Sequence, residues 1–118
     1  MDLQDSIKYE LYREQELTRI IVVNPSDRNI DRLKILGQQL AHENYNKTIA
    51  FVCVFDDKKA ADMIFDITSD WSKEQEEFYF NHFIASYNRN VYTKLNRFFI
   101  HLPESEGGEY EMKFHIYL

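Results

Sequence analysis

Phe78-Tyr79-Phe80-Asn81-His82-Phe83-Ile84-Ala85-Ser86-Tyr87-Asn88-Arg89-Asn90 is the stretch on which the fold turns. Read at period two, its large rings alternate on a pleated surface packed on both sides, which predicts a strand over 78–87. Asn88-Arg89-Asn90 then reads as turn chemistry, because asparagine tolerates left-handed backbone. On this reading His82 shares a face with Phe78, Phe80 and Ile84. An imidazole there is a core residue bonded to backbone more readily than a general base.

Working outward, Ile7, Tyr9 and Leu11 alternate with Lys8, Glu10 and Tyr12, the signature of a half-buried strand. The apolar run 17–23 follows too closely for a helix to intervene, so the two form a hairpin. Ile20-Ile21-Val22-Val23 is apolar at every position, which asks for cover on both faces. Asn24-Pro25-Ser26-Asp27 stops that strand, and Ser26 or Asp27 is expected to cap a helix running to Glu43. Its stripe is Ile30, Leu33, Leu36, Gly37, Leu40 and Ala41, with Ile35 and His42 opposite.

Residues 48–55 carry no charge and read as a central strand ending at Asp56-Asp57. Either aspartate can cap a short helix over about 57–67, with its negative charge at the positive end of the dipole. Trp71 lies in a charged connection where Ser72 can cap a further turn. After the 78–87 strand, Phe98, Ile100 and Leu102 alternate with Arg97, Phe99 and His101. Met112, Phe114, Ile116 and Leu118 alternate in turn with Lys113, His115 and Tyr117. A loop of Pro, Glu, Ser and Gly joins these last two as antiparallel neighbours, either with His101 facing His115 or with His101 facing Lys113.

The expected fold is α+β, one domain over 1–118, with a mainly antiparallel sheet of about six strands and two helices on one face. The order is β-β-α-β-α-β-β-β. The crossovers on either side of residues 48–55 are long enough to permit a parallel neighbour there.

Composition supports a folded core: 44% of the 118 residues are hydrophobic and 18 are aromatic, against three glycines and two prolines. A chain of this size buries about two-thirds of its unfolded surface, so it needs no disulfide, and Cys53 is the only cysteine. Net charge is −6, and residues 56–77 hold eight acids against three lysines. Nucleic acid is thereby disfavoured as a partner, since phosphate binding needs a positive footprint. No stretch is long and apolar enough for a membrane span, and the first residues lack a signal-peptide pattern, so a cytoplasmic location is expected.

No glycine-rich phosphate loop or nucleophile elbow is present, and His42, His82, His101, His115 and Cys53 show no zinc spacing. No metal or cofactor is expected. Acid–base chemistry would join His82 to Asp56 or Asp57 at the end of the central strand, where sites on mixed sheets form. The densest polar group is Tyr87-Asn88-Arg89-Asn90, which offers donors, acceptors and an anion-binding guanidinium. His82, Tyr87, Asn88, Arg89, Asn90 and Asp57 are therefore the candidate ligand-binding residues, with no catalytic set assigned.

His82, Ala85, Tyr87 and Asn90 form a His-x-x-Ala-x-Tyr-x-x-Asn pattern, behind a strand ending Val54-Phe55-Asp56-Asp57. In this the chain resembles small uncharacterised bacterial domains over roughly residues 9–100. Such domains often continue with Thr-Gly, where this chain has Thr93-Lys94. The resemblance implies no activity. The functional expectation is a non-enzymatic binding or interaction module, with a protein partner or a second copy as its occupant. Two alternatives stand beside it: an acidic inhibitor or immunity-type protein capping a basic partner through residues 56–77, and a hydrolase-like domain using His82 and Asp57.

Overall fold

A computed structural model of the chain describes residues 6–66 and 70–116. Its strands are β1 (Tyr9–Gln15), β2 (Thr18–Val23), β3 (Ile49–Phe55), β4 (Phe83–Asn90), β5 (Leu95–His101) and β6 (Glu109–Lys113). Its α-helices are α1 (Ile30–Glu43) between β2 and β3, then α2 (Lys58–Met63) and α3 (Lys73–His82) between β3 and β4. The strands form one sheet in chain order. Only β2 and β3 are parallel, joined through α1; the other pairs are antiparallel. The fold is thus α+β and mostly antiparallel, with the order β-β-α-β-α-α-β-β-β.

The expected pair of helices on one face is corrected to three helices on two faces. Alternation along β3 shows why. Ala50, Val52 and Val54 join Leu33, Leu36 and Leu40 of α1 in one buried cluster. Cys53 and Phe55 join Ala60 and Ala61 of α2 and Tyr79 of α3 in another. Successive side chains point to opposite faces of a strand, so a strand apolar at every position needs a layer on each side. The same holds for β2, whose Ile21 and Val23 enter the first cluster and Ile20 and Val22 the second.

The strand expected over 78–87 begins only at Phe83. Residues 78–82 complete α3, which starts in a reciprocal cap: Gln75 N–H donates to Ser72 Oγ, and Ser72 N–H donates to Gln75 Oε1. That cap commits the segment to a helix before its rings are reached. Phe78 and His82 stand four apart, so they share a face in a helix as well as in a strand. Burial separates the two: Phe80 and Asn81 are both exposed, which alternation cannot give, while Tyr79 is 1% exposed and packs against Phe55, Trp71 and Phe83.

Other corrections are local. Asn24 caps a single 3-10 turn, Pro25–Asp27, and Asn29 rather than Ser26 or Asp27 caps α1 by accepting from Arg32 N–H. Ile35, expected opposite the core stripe, packs partly against the α1 cluster. Asp57 caps α2 through Ala60 N–H at 3.1 Å. In the last hairpin neither expected register forms. The 3-10 turn Glu104–Glu106 and a bond from Leu102 N–H to the Gly108 carbonyl shorten the loop, so His101 faces Glu109 and Phe99 faces Glu111. His115 follows the end of β6, where its carbonyl accepts from Asn96 Nδ2; Tyr117 and Leu118 fall outside the described residues, as does Ile67.

Lys94 closes the β4–β5 turn with φ +59°, in the left-handed region. A side chain there costs about 1–2 kcal/mol that glycine avoids. Lys94→Gly is expected to raise the denaturation midpoint in urea, by about 1 kcal/mol of stability. Gly37 predicts the opposite sign. A Cβ there would stand 2.6 Å from Cδ2 of Phe98 and 3.1 Å from Sδ of Met112, and Phe98 is wholly buried. Alanine's helix advantage of about 1 kcal/mol is outweighed by overpacking of about 1–3 kcal/mol, so Gly37→Ala should lower the thermal midpoint.

Candidate functional site

The chain ends that follow the parallel strands β2 and β3 meet at one edge of the sheet. Asp56 lies directly after β3, and Arg28 in the connection leaving β2. Arg28 spends all five N–H donors there. Nε and Nη2 grip the Glu106 carboxylate at 2.7 and 3.2 Å, and Nη1 reaches Asp56 Oδ2 at 3.0 Å. Nη1 also donates to the Asn81 carbonyl at 2.7 Å and Nη2 to its Oδ1 at 3.0 Å. The guanidinium thereby ties the ends of β2, β3 and α3 to the β5–β6 loop. Its hydrogen bond holds the Glu106 carboxyl below the usual carboxylate range.

Asp56 has a second partner. Its Oδ1 stands 2.6 Å from Nδ1 of His82, at the C-terminal end of α3. The aspartate side chain is 4% exposed and the histidine 23%, with the Phe78 ring 4.7 Å from the imidazole. Among the described residues His82 Nε2 has no hydrogen-bond partner, whereas the buried side-chain atoms lacking one are Arg19 Nε and Asn44 Oδ1. The His82 side chain keeps 23% of its surface in solvent. A carboxylate on one ring nitrogen with the other open is the arrangement that orients an imidazole for proton transfer.

A second place lies on the sheet itself. On the second face α2 and α3 make their main contacts with β2, β3 and β4, and further along β4 and β5 the side chains of that face are half-buried or exposed. There Ser86, Asn88, Arg97 and Phe99 line a depression of about 260 Å³. Cross-strand register builds it, Ser86 opposite Phe99 and Asn88 opposite Arg97. Arg97 is 46% exposed and stands 3.7 Å from Glu111, too far for a hydrogen bond, and among the described residues its side chain has no closer acceptor. Phe99 continues a chain of ring contacts through His101 to Phe83.

The six residues nominated from sequence are spread among five places. His82 joins the edge cluster on Asp56; Asp57, the partner in the hydrolase-like alternative, is occupied in capping α2. Tyr87 and Arg89 point into the α1 layer. The tyrosine hydroxyl donates to Asn96 Oδ1, and Arg89 donates to the carbonyls of Lys47 and Tyr45. Asn88 stands on the opposite face, in the depression. Asn90 accepts from Tyr92 N–H in the turn. Arg28, Asn81 and Glu106 were not foreseen, because three distant segments supply them and no local spacing marks them. Arg97 and Ser86 escaped notice for the same reason.

Several groups are chemically quiet. Burial pushes the Cys53 thiol up to about 12, which disfavours the reactive thiolate. Among the described residues no group of three or more His, Cys, Asp or Glu could hold a metal ion, and no helix is long and apolar enough to cross a membrane. In the acidic segment Asp62 accepts from the Tyr12 hydroxyl at 2.9 Å and lies 3.6 Å from Arg13, while Asp66, Glu74, Glu76 and Glu77 are exposed. No protein-family model, curated protein or solved structure matches the chain.

Burial holds the His101 imidazole below its ordinary range, opposed by the charge of Glu109 across the strand pair. The unfolded chain then binds a proton more readily than the folded one. The resulting stability is fully present above about pH 6.5 and is lost as pH falls through the folded-state value. Thermal midpoints measured between pH 7.5 and 5 should fall for the native chain, and fall less for His101→Phe, which keeps a ring against Phe83 and Phe99. Equal slopes would remove His101 as a cause.

Proposed function

We propose that this chain is a binding module that recognises the carboxylate-bearing end of a peptide or protein partner on the uncovered face of β4 and β5. The observation that supports this reading is the depression lined by Ser86, Asn88, Arg97 and Phe99. Its polar groups stand on strands, where position is fixed by cross-strand hydrogen bonds rather than by a loop. An under-paired guanidinium offers two parallel donors to a carboxylate, the amide of Asn88 and the hydroxyl of Ser86 donate or accept beside it, and the Phe99 ring supplies a flat apolar contact.

Size narrows the class of ligand. At about 260 Å³ the depression lies just below the ~300–1,000 Å³ of small-molecule sites, so it suits one terminal residue of a larger partner better than an enclosed metabolite. Displacing the exposed Arg97–Glu111 pair costs little, since such pairs contribute about 0–1 kcal/mol. The acidic-inhibitor alternative draws on exposed acids alone, a feature that solubility explains equally well.

The probes for the test are N-acetyl-phenylalanine as its free acid and as its amide, titrated separately and followed by backbone amide shifts. The free acid is expected to move residues 86, 88, 97 and 99, and the amide to leave them in place. Arg97→Met should weaken binding of the acid about tenfold or more, the loss of a charge-assisted hydrogen bond. Shifts scattered over the surface, or an equal response to the amide, would overturn the assignment.

A further inference from the structure

The edge cluster carries an inference independent of the sheet face. We infer that His82 is held as its Nδ1–H tautomer with the Nε2 lone pair offered to solvent, which makes it a nucleophile toward neutral, activated acyl compounds. Arg28 enforces the arrangement from the far side of Asp56. Oδ2 is taken by the guanidinium at 3.0 Å, which leaves Oδ1 to face the imidazole at 2.6 Å. A carboxylate has no proton to give to Nδ1, so the ring proton sits on Nδ1 and Nε2 is the acceptor.

The surroundings select the electrophile. Arg28 has no donor left for an anion, because its five N–H groups are committed to Asp56, Asn81 and Glu106. The group flanking the imidazole is the Phe78 ring, at 4.7 Å between centroids. A neutral ester with an aryl leaving group meets both conditions. Nε2 attacks the carbonyl carbon and forms a C–N bond. The bond to the aryloxide oxygen then breaks, and the aryloxide leaves with the electron pair. Asp56 balances the positive charge that develops on the ring. Water adds to the acyl carbon, carboxylic acid departs, a proton passes to solvent, and Nε2 is restored.

Asp56→Asn tests the positioning role with a sign of its own. Arg28 will hold the amide oxygen, which turns the NH2 toward His82 Nδ1 and drives the ring proton to Nε2, abolishing the lone pair. Long-range proton–nitrogen spectra should show His82 protonated at Nδ1 in the native chain and at Nε2 in the variant. With p-nitrophenyl acetate at pH 8, the acetyl group should be found on residue 82 by mass spectrometry. His82→Gln and Asp56→Asn should each lower nitrophenolate release roughly tenfold or more. His42→Gln should leave release nearly unchanged, because that exposed ring stacks on Tyr45 and among the described residues has no carboxylate partner. An Nε2–H tautomer in the native chain overturns the inference, even if Asp56→Asn fails to fold. So does an equal loss in His42→Gln, or a folded Asp56→Asn that releases nitrophenolate at the native rate.

Discussion

Everything in this molecule follows from the need to cover β3 on both faces. Its seven residues, Ile49–Phe55, contain no polar side chain, so each face of the sheet at its centre must be sealed from water. Helix α1 seals one face, and the crossover through it makes β2 and β3 parallel. Sealing the other face requires the segment between β3 and β4 to fold back as α2 and α3. That return path brings the end of α3 to the end of β3, and Asp56 and His82 meet there. The edge cluster is thus a consequence of the same burial that organises the core.

The layers are unequal in reach. Helix α1 packs against β4, β5 and β6 as well as the centre, through Leu33, Leu36, Gly37 and Leu40. The missing side chain at Gly37 lets the helix approach Phe98. The second layer is shorter, a helix of six residues and one of ten, and its contacts run to β2, β3 and β4. Aromatic rings bridge what it leaves open, in a run from Trp71 through Tyr79, Phe55, Phe83 and His101 to Phe99. Beyond Phe99 the face turns polar, as one side of an antiparallel sheet can.

How legible was this in the sequence? Strands with a clean pattern, such as 48–55 and 97–101, were readable because hydrophobic period alone determines them. The aromatic stretch was not, because Phe78 and His82, four apart, share a face in a strand and in a helix alike. The deciding residues were Ser72 and Gln75, outside the stretch itself. The number of layers was implicit in β3, since a strand without polar positions already excludes an open face. The sites were less legible. Arg28, Asp56, Asn81, His82 and Glu106 converge only through topology, and alternation along β4 separates Asn88 from Tyr87 and Arg89, its neighbours in sequence.

The two arginines show why the candidate places differ in kind. Arg28 is saturated, and its partner Asp56 is 4% exposed. Pulling it toward a ligand would strand a buried carboxylate, a loss of about 3–5 kcal/mol. A group so bound can orient its neighbours but cannot recognise anything. Arg97 is in the reverse position: half in water and loosely paired with Glu111, it gives up almost nothing when a better anion arrives. Of the two arginines, Arg97 is therefore the one that suits the proposed recognition. At the edge, where every charge is already answered, the remaining chemical freedom is one nitrogen of His82.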